Sequence, residues 1–280
     1  MTATATTIDR QLLYWNTAAC EENDRNEGKT CANARTEGFD DGLGFSEARF
    51  PERFALSGDC AENNVHSHLR KGAKPYQYAA TSVEGFIQQL AVAYVSRSYY
   101  FYVAGSVPDG ADPRAVDRKL ISKYGIRVSK YVRARQKKRG EAKVQYLRFG
   151  RFFLLLATKG EHRFFKDETS IKDVRRTPIR FAGYSVGVGR GRDGKAHASV
   201  RIDAIEFQFL KRRFLGMALS THFEVMAARF GALQFAPYAP VRKQYVRLLR
   251  QVNRARRVAG LERIPLQVLP LRRRPVRPFG

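Results

Sequence analysis

Basic side chains dominate the last forty residues of the chain at a helical spacing. Residues 241–280 hold 12 Lys and Arg against one acidic residue, Glu262. Apolar residues recur every three or four positions from Val241 to Val252, which predicts a helix that buries one face. An ordinary solvated face would interleave acidic residues, so this face is typical of a surface that binds the phosphates of nucleic acid. Its basic residues are Arg242, Lys243, Arg247, Arg250, Arg254 and Arg257.

A basic arm follows this helix. After Gly260 the prolines of IPLQVLPLRRRPVRPFG exclude a regular helix. Arginine forms planar, bidentate contacts with phosphates and base edges, which favours nucleic acid over simple charge compensation. We predict that the arm contacts phosphates and that the body stays folded without it. The arginines of the arm are Arg272, Arg273, Arg274 and Arg277.

Two further basic segments are expected to contact phosphates. The first, within residues 127–148, is predicted to be a surface loop that orders on contact. It carries Arg127, Lys130, Arg133, Arg135, Lys137, Lys138 and Arg139. The second is the tip of a predicted hairpin, a glycine-rich ribbon narrow enough to enter a groove. It carries Arg190, Arg192 and Lys195.

Catalytic candidates are fewer. Glu161 and His162 follow a predicted central strand over residues 151–158, and Asp173 lies nearby in an acidic stretch. Carboxylates and imidazole at the end of a strand can hold a divalent ion for phosphodiester cleavage. A metal-dependent nuclease is therefore the alternative hypothesis. A divalent metal is expected only in that case, and otherwise no cofactor.

A palm-like sheet followed by a basic helix is similar to single-strand transposases and rolling-circle initiators. Those enzymes join a His-hydrophobic-His metal strand to a tyrosine nucleophile, for which Tyr245 is the candidate here. The match fails at the metal motif: His197 has no second histidine two residues on, and serine separates His66 from His68. We do not infer membership. The metal-ligand candidates are His66, His68 and His162.

The order of predicted elements defines the fold class. Helices are expected from Ser82 and from Asp112 to Gly125, with strands over residues 99–107 and 144–158. Residues 181–202 form a predicted β-hairpin whose turn contains Asp193-Gly194, and a helix follows. This order predicts an α+β protein, a mainly antiparallel sheet with helices packed on one face, in a ferredoxin-like or RNA-recognition-like palm.

Charge divides the chain. Residues 1–76 hold 9 Lys and Arg against 12 Asp and Glu, a net of −3, so the remainder of the +25 chain carries 42 minus 14, or +28. We predict a mostly disordered, slightly acidic extension over 1–76, a nucleic-acid-binding body over 77–239, and the basic helix and arm over 240–280.

The bulk composition limits the function classes. The longest apolar run, residues 152–157, is much shorter than the roughly 18 residues of a membrane span. The N-terminus lacks a secretory pattern, which indicates the cytoplasm or nucleoid. The expected partner is DNA or RNA, which the protein would bind through its phosphates without efficient cleavage. The expected setting is a mobile element or a replication system. A transposase-like nuclease and a ribosome-associated structural protein are the alternatives.

Overall fold

Two antiparallel sheets and seven α-helices build the part of the chain that the computed structural model describes, residues 76–191 and 193–279. The first sheet has four strands in the order β2-β3-β1-β4 and the second three strands in the order β5-β6-β7. The strands are β1 (Phe101–Ser106), β2 (Val144–Phe149), β3 (Phe152–Ala157), β4 (Lys172–Asp173), β5 (Ile179–Phe181), β6 (Tyr184–Arg190) and β7 (Ala196–Ile202).

The helices lie before, between and after the strands. α1 continues through a π-helical turn, Gln89–Tyr94, and a 3-10 turn, Val95–Arg97. A 3-10 turn, Leu266–Val268, follows the last helix. The helices are α1 (Val83–Gln88), α2 (Pro113–Lys123), α3 (Lys130–Lys138), α4 (Phe164–Asp167), α5 (Ala204–Met217), α6 (Phe223–Gly231) and α7 (Ala239–Val258).

The α+β class and the antiparallel pairing predicted from the sequence are confirmed, but the strands form two sheets and not the single sheet expected. Along the chain the first sheet follows the order β1-α2-β2-β3-α4-β4, with α3 as an extra helix before β2, which is the split arrangement of ferredoxin-like sheets. β1 and β3 pair antiparallel, with Phe101 opposite Ala157 at one end and Ser106 opposite Phe152 at the other.

Both faces of the first sheet are covered. On one face Tyr146, Phe153 and Leu155 pack against Tyr124 from the end of α2 and Phe164 of α4. On the other face alternate residues of the same strands contact α1. β3 is therefore apolar on both sides, as predicted for a central strand.

Helix α1 is buried between the two sheets. Phe86, Ile87 and Leu90 belong to one buried core with residues of both sheets. The Phe86 ring lies 5.9 Å from that of Phe152 in the first sheet and 4.7 Å from that of Phe181 in the second, measured between centroids. A helix in this position must be apolar around most of its circumference. The prediction that helices pack on one face of the sheet holds for α2 and α4 on the first sheet. It does not hold for α1, which packs on the opposite face of that sheet and is covered by the second sheet.

A separate core holds the C-terminal helices. Tyr245, Leu248 and Val252 of α7 pack with α5, α6 and Ile202 of β7. This is the apolar stripe that the spacing predicted. Within the described residues, no helix is both long and apolar enough to cross a membrane.

The arm after α7 is part of the folded body. Ile264 and Leu269 are buried in the C-terminal core, and Phe279 packs against the core around α1. The side-chain amide of Gln88 donates to the Val276 carbonyl at 2.6 Å and accepts from its N–H at 3.2 Å. The apolar residues of the arm fill two cores, which argues against the expectation that the body folds without it.

The predicted extension mostly lies outside the described residues. Its last residue, Tyr76, nevertheless contacts the body: its hydroxyl accepts from the Tyr146 N–H at 3.1 Å, and its ring stacks on Tyr78. The folded body thus includes at least one residue that the sequence analysis assigned to the extension.

Gly85 permits the close approach of the arm to α1. A Cβ atom at Gly85 would lie 2.8 Å from Pro278 Cα, whereas one at Gly216 in α5 would meet nothing within 4 Å. We expect Gly85→Ala to lower the free energy of unfolding by about 1–3 kcal/mol, since the arm must shift. The control, Gly216→Ala, should gain up to about 1 kcal/mol from helix propensity. Urea denaturation of both variants measures this, and equal stabilisation would contradict the packing of the arm.

Candidate nucleic-acid interface

Five cations form one row along α7. Steps of four, three, four and three residues keep successive members on the same helix face. All five are exposed, and the row is roughly 21 Å long at about 1.5 Å per residue. Its members are Lys243, Arg247, Arg250, Arg254 and Arg257. The sixth predicted residue, Arg242, is also exposed beside the row.

The opposite side of α7 is fixed to the body. Tyr245, Leu248 and Val252 are fully buried. The Gln244 amide donates to the Ile202 carbonyl at 3.0 Å and accepts from its N–H at 2.9 Å, which attaches the helix to the end of β7. The row of cations is thus held on a rigid support.

Among the described residues, no carboxylate forms an ion pair with this row. Every ion pair between described residues joins groups within residues 109–224, so none involves α7 or the arm. Arg256 differs from the other basic residues of α7 because it is buried. Its guanidinium donates to the carbonyl oxygens of Glu262, Ala218 and Thr221. Arg256 therefore holds the end of α7 against the turn between α5 and α6, whereas no described carboxylate pairs with its neighbours on the row.

The arm brings one of its arginines, Arg273, beside the start of α7. The Arg273 guanidinium lies 4.7 Å from the ring centroid of Tyr238, the residue that precedes α7, in a cation–π contact. Arg272, Arg274 and Arg277 are exposed. Arg273 therefore attaches the arm to the residue that precedes α7.

The basic run after α2 is a helix and not the predicted loop. Ser129 caps α3 by accepting a hydrogen bond from the Val132 N–H at 3.3 Å, and the run of Arg, Ala, Gln and Lys that follows favours a helix. Arg133 is half-buried, and Arg139 pairs with Glu141. The other predicted residues with described side chains are exposed: Arg127, Arg135, Lys137 and Lys138. Of Lys130 only its place at the start of α3 is described.

The predicted hairpin is confirmed as β6 and β7, paired from Tyr184 opposite Ile202 to Arg190 opposite Ala196. At the tip Asp193 accepts from the Lys195 N–H at 3.1 Å and pairs with His197 at 2.9 Å. The side chains of Arg190 and Lys195 are exposed, and Arg192 lies outside the described residues.

The catalytic candidates have structural partners. Asp173 is held by Arg175 at 2.6 Å, and the hydrogen bond from Arg175 lowers the pKa of this carboxyl. His162 Nδ1 accepts from the Phe164 N–H at 3.0 Å, and burial lowers its pKa. Glu161 is exposed where its backbone bridges to Glu141.

The structure does not assemble a metal centre from these residues. Across residues 76–191 and 193–279 no group of three or more His, Cys, Asp or Glu could hold a metal ion. His66 and His68 lie outside that part. The hydroxyl of Tyr245 is buried and donates to the Phe235 carbonyl at 2.9 Å, and burial raises its pKa, so it supports the core.

Comparison of the chain with protein-family models, curated proteins and solved structures gave no match, so its function is argued from its own residues.

The buried and exposed residues of the arm can be separated by mutation. Deleting residues 261–280 removes Ile264 and Leu269, 2% and 6% exposed, and truncating one such residue to alanine typically costs about 2–5 kcal/mol. We expect the truncated protein to unfold at much lower urea concentration. The triple variant Arg272→Gln, Arg274→Gln, Arg277→Gln should stay within about 0.5 kcal/mol of the parent. Coincident unfolding curves of truncated and full-length protein would show that the arm does not pack as described.

Proposed function

We propose that this protein binds DNA or RNA by its phosphates, with the row on α7 and the exposed arginines of the arm as the principal contacts. The observation that carries the proposal is a row of five exposed cations on a rigid helix, without a carboxylate partner among the described residues. Nucleic acid holds condensed cations around its phosphates, and basic side chains that neutralise those phosphates release the cations with a gain in entropy.

The geometry of the row favours an extended polyanion over a small one. Neighbours three or four apart on a helix are about 5–6 Å from one another, and five of them follow one line. A single phosphate would contact one or two of these side chains. A nucleic-acid backbone presents a continuous series of charges and can contact all of them.

Binding of this kind positions a strand without reading its sequence, because phosphates are the same in every nucleotide. α3 and the hairpin tip add exposed cations on two other elements, and we propose them as secondary contacts. The nuclease alternative has less support, since Asp173 and His162 already have partners. A ribosome-associated role shares the same chemistry and would appear as a preference for ribosomal RNA.

The salt dependence of binding tests the proposal. We expect the triple variant Arg247→Gln, Arg250→Gln, Arg254→Gln to lose affinity for every sequence. The log-affinity against log-salt slope should shrink by roughly 0.9 per lost contact on duplex DNA, or about 0.7 on single strands. Three contacts on a duplex thus give a change of about 2.7. Fluorescence anisotropy titrations at several salt concentrations measure it.

The matched control removes the same charge elsewhere. Lys159, Lys166 and Lys172 are exposed and lie on the first-sheet side of the chain, away from α7 in sequence. Lys159→Gln, Lys166→Gln, Lys172→Gln should leave the slope nearly unchanged. Equal losses in both triple variants would mean that net charge alone drives binding, and the assignment to α7 would be abandoned.

Cleavage is tested with the same nucleic acids. Labelled single- and double-stranded DNA and RNA incubated with the protein and Mg²⁺ or Mn²⁺ should remain intact on a denaturing gel. Cleavage that a chelator stops and that His162→Ala abolishes would establish the nuclease alternative instead.

A further inference from the structure

Helix α3 contributes little to the folded core. None of its described side chains is fully buried. Arg133 and Gln136, three residues apart, are half-buried and mark the side of the helix that faces the body. Every other described side chain of α3 is exposed. The outward side chains of this helix are therefore not constrained by packing.

An aromatic ring lies on the outward side of α3. Tyr131 is 71% exposed, the largest value for any tyrosine or phenylalanine in the described part of the chain, and Phe209 follows at 48%. The side chain of Tyr131 forms no hydrogen bond or ring contact with another described residue. Its ring is therefore open to a ligand from solvent.

Cations adjoin this ring on the same helix face. Arg135 follows Tyr131 by four residues, and Lys138 follows Arg135 by three, spacings at which helical side chains are neighbours about 5–6 Å apart. Both cations are exposed, and neither forms an ion pair with a described carboxylate. The first turn of α3 holds no acidic residue. Tyr131 thus lies at one end of a short row of cations.

The exposed ring distinguishes α3 from α7. The row on α7 consists of cations alone, and the tyrosine of that helix, Tyr245, is buried in the core. Cations attract the phosphates of any strand, whether it is paired or not. An aromatic ring adds a contact with the face of a base, which is accessible only where the base is not stacked between its neighbours. The two helices therefore suit different parts of a nucleic acid.

We propose that Tyr131 stacks on one base of a single strand and that Arg135 and Lys138 contact the neighbouring phosphates. This inference rests on the proposed function and adds a preference to it, because α7 contacts phosphates of any strand while α3 contacts unpaired nucleotides. Every base has a π face, so the contact tolerates any sequence. Proteins that bind single strands combine a positively charged surface with aromatic rings in this way.

The test compares a single-stranded oligonucleotide, an abasic strand of equal length and a paired duplex. Loss of one stacking contact between a base and an aromatic side chain lowers affinity by about fivefold to a hundredfold. We expect Tyr131→Ala to lower the affinity of the full-length protein for the single strand by a factor in this range. Affinity for the abasic strand and for the duplex should stay unchanged, because both offer phosphates without an accessible base face. Fluorescence anisotropy at one salt concentration measures all three.

Two control variants separate the ring from its surroundings. Val132→Ala removes apolar surface from the adjacent exposed position but no ring, and should leave the affinity for all three ligands unchanged. Tyr131→Phe keeps the ring and should keep the parental affinity for the single strand. Because Tyr131 is exposed, the urea unfolding curves of Tyr131→Ala and the parent should coincide, so that a loss of binding does not reflect a loss of folding.

A tryptophan at the same position reports stacking directly. Trp15 is the only tryptophan of the chain, so the double variant Trp15→Phe, Tyr131→Trp carries its single indole on α3. We expect the single strand to quench the fluorescence of this indole and the abasic strand to leave it unchanged. Equal quenching by both strands would overturn stacking at this position.

The remaining outcomes distinguish the two proposals. Unchanged affinity of Tyr131→Ala for the single strand, or an equal loss for the single and the abasic strand, would overturn the assignment of α3 and leave phosphate binding by α7 intact. A lower molecular mass of Tyr131→Ala in light scattering, with unchanged affinity, would assign the ring to an interface between two copies of the chain instead. Failure of the parent protein to bind any of the three ligands would overturn both proposals.

Discussion

The burial of α1 between two sheets is the constraint on which the architecture depends. Each sheet presents an apolar face that must be covered, and one helix covers both. Phe86, Ile87 and Leu90 consequently have no solvent exposure. The π turn that follows stays within the same core, where Leu90 and Ala91 are buried as well. Helix and π turn therefore form one continuous buried segment.

Amide side chains hydrogen-bond to backbone groups at three positions beside the two cores. An unpaired backbone N–H or C=O is costly to bury, and segments without helix or strand must find other partners. Gln88, Gln244 and Asn253 each pair with both the N–H and the C=O of one residue: Val276, Ile202 and Ile264 respectively. Two of these contacts fix the arm. Because neutral amides form these hydrogen bonds, most arginines of the arm are not needed to attach it to the body.

Sequence periodicity predicted the elements that bury a regular face. The caps of α2, the turn of the β6-β7 hairpin and the stripe of α7 are local signals, and each element formed where they occur. α3 was not predicted because it buries little and has no apolar period. The packing of the arm depends on Gly85 and Gln88, almost 200 residues away in the chain. The hydrogen bond from the Tyr76 hydroxyl to Gln145 likewise joins distant segments, and no pattern in either segment signals that contact.

The distribution of charge on α7 is unfavourable for folding alone. Four neighbouring pairs in the row carry like charges at spacings of three or four, and each such pair costs roughly 0.2–0.5 kcal/mol. Meanwhile the ion pairs between described residues lie within residues 109–224, where Asp117 with Arg148 is the most buried example. The helix is stable because its other face is buried, so the row is not required by the fold. A polyanion would relieve the repulsion along the whole row at once. Small counterions would lose more translational entropy in doing the same, because each ion would have to be held separately. The energetic conflict within α7 is thus itself an argument that this surface binds nucleic acid.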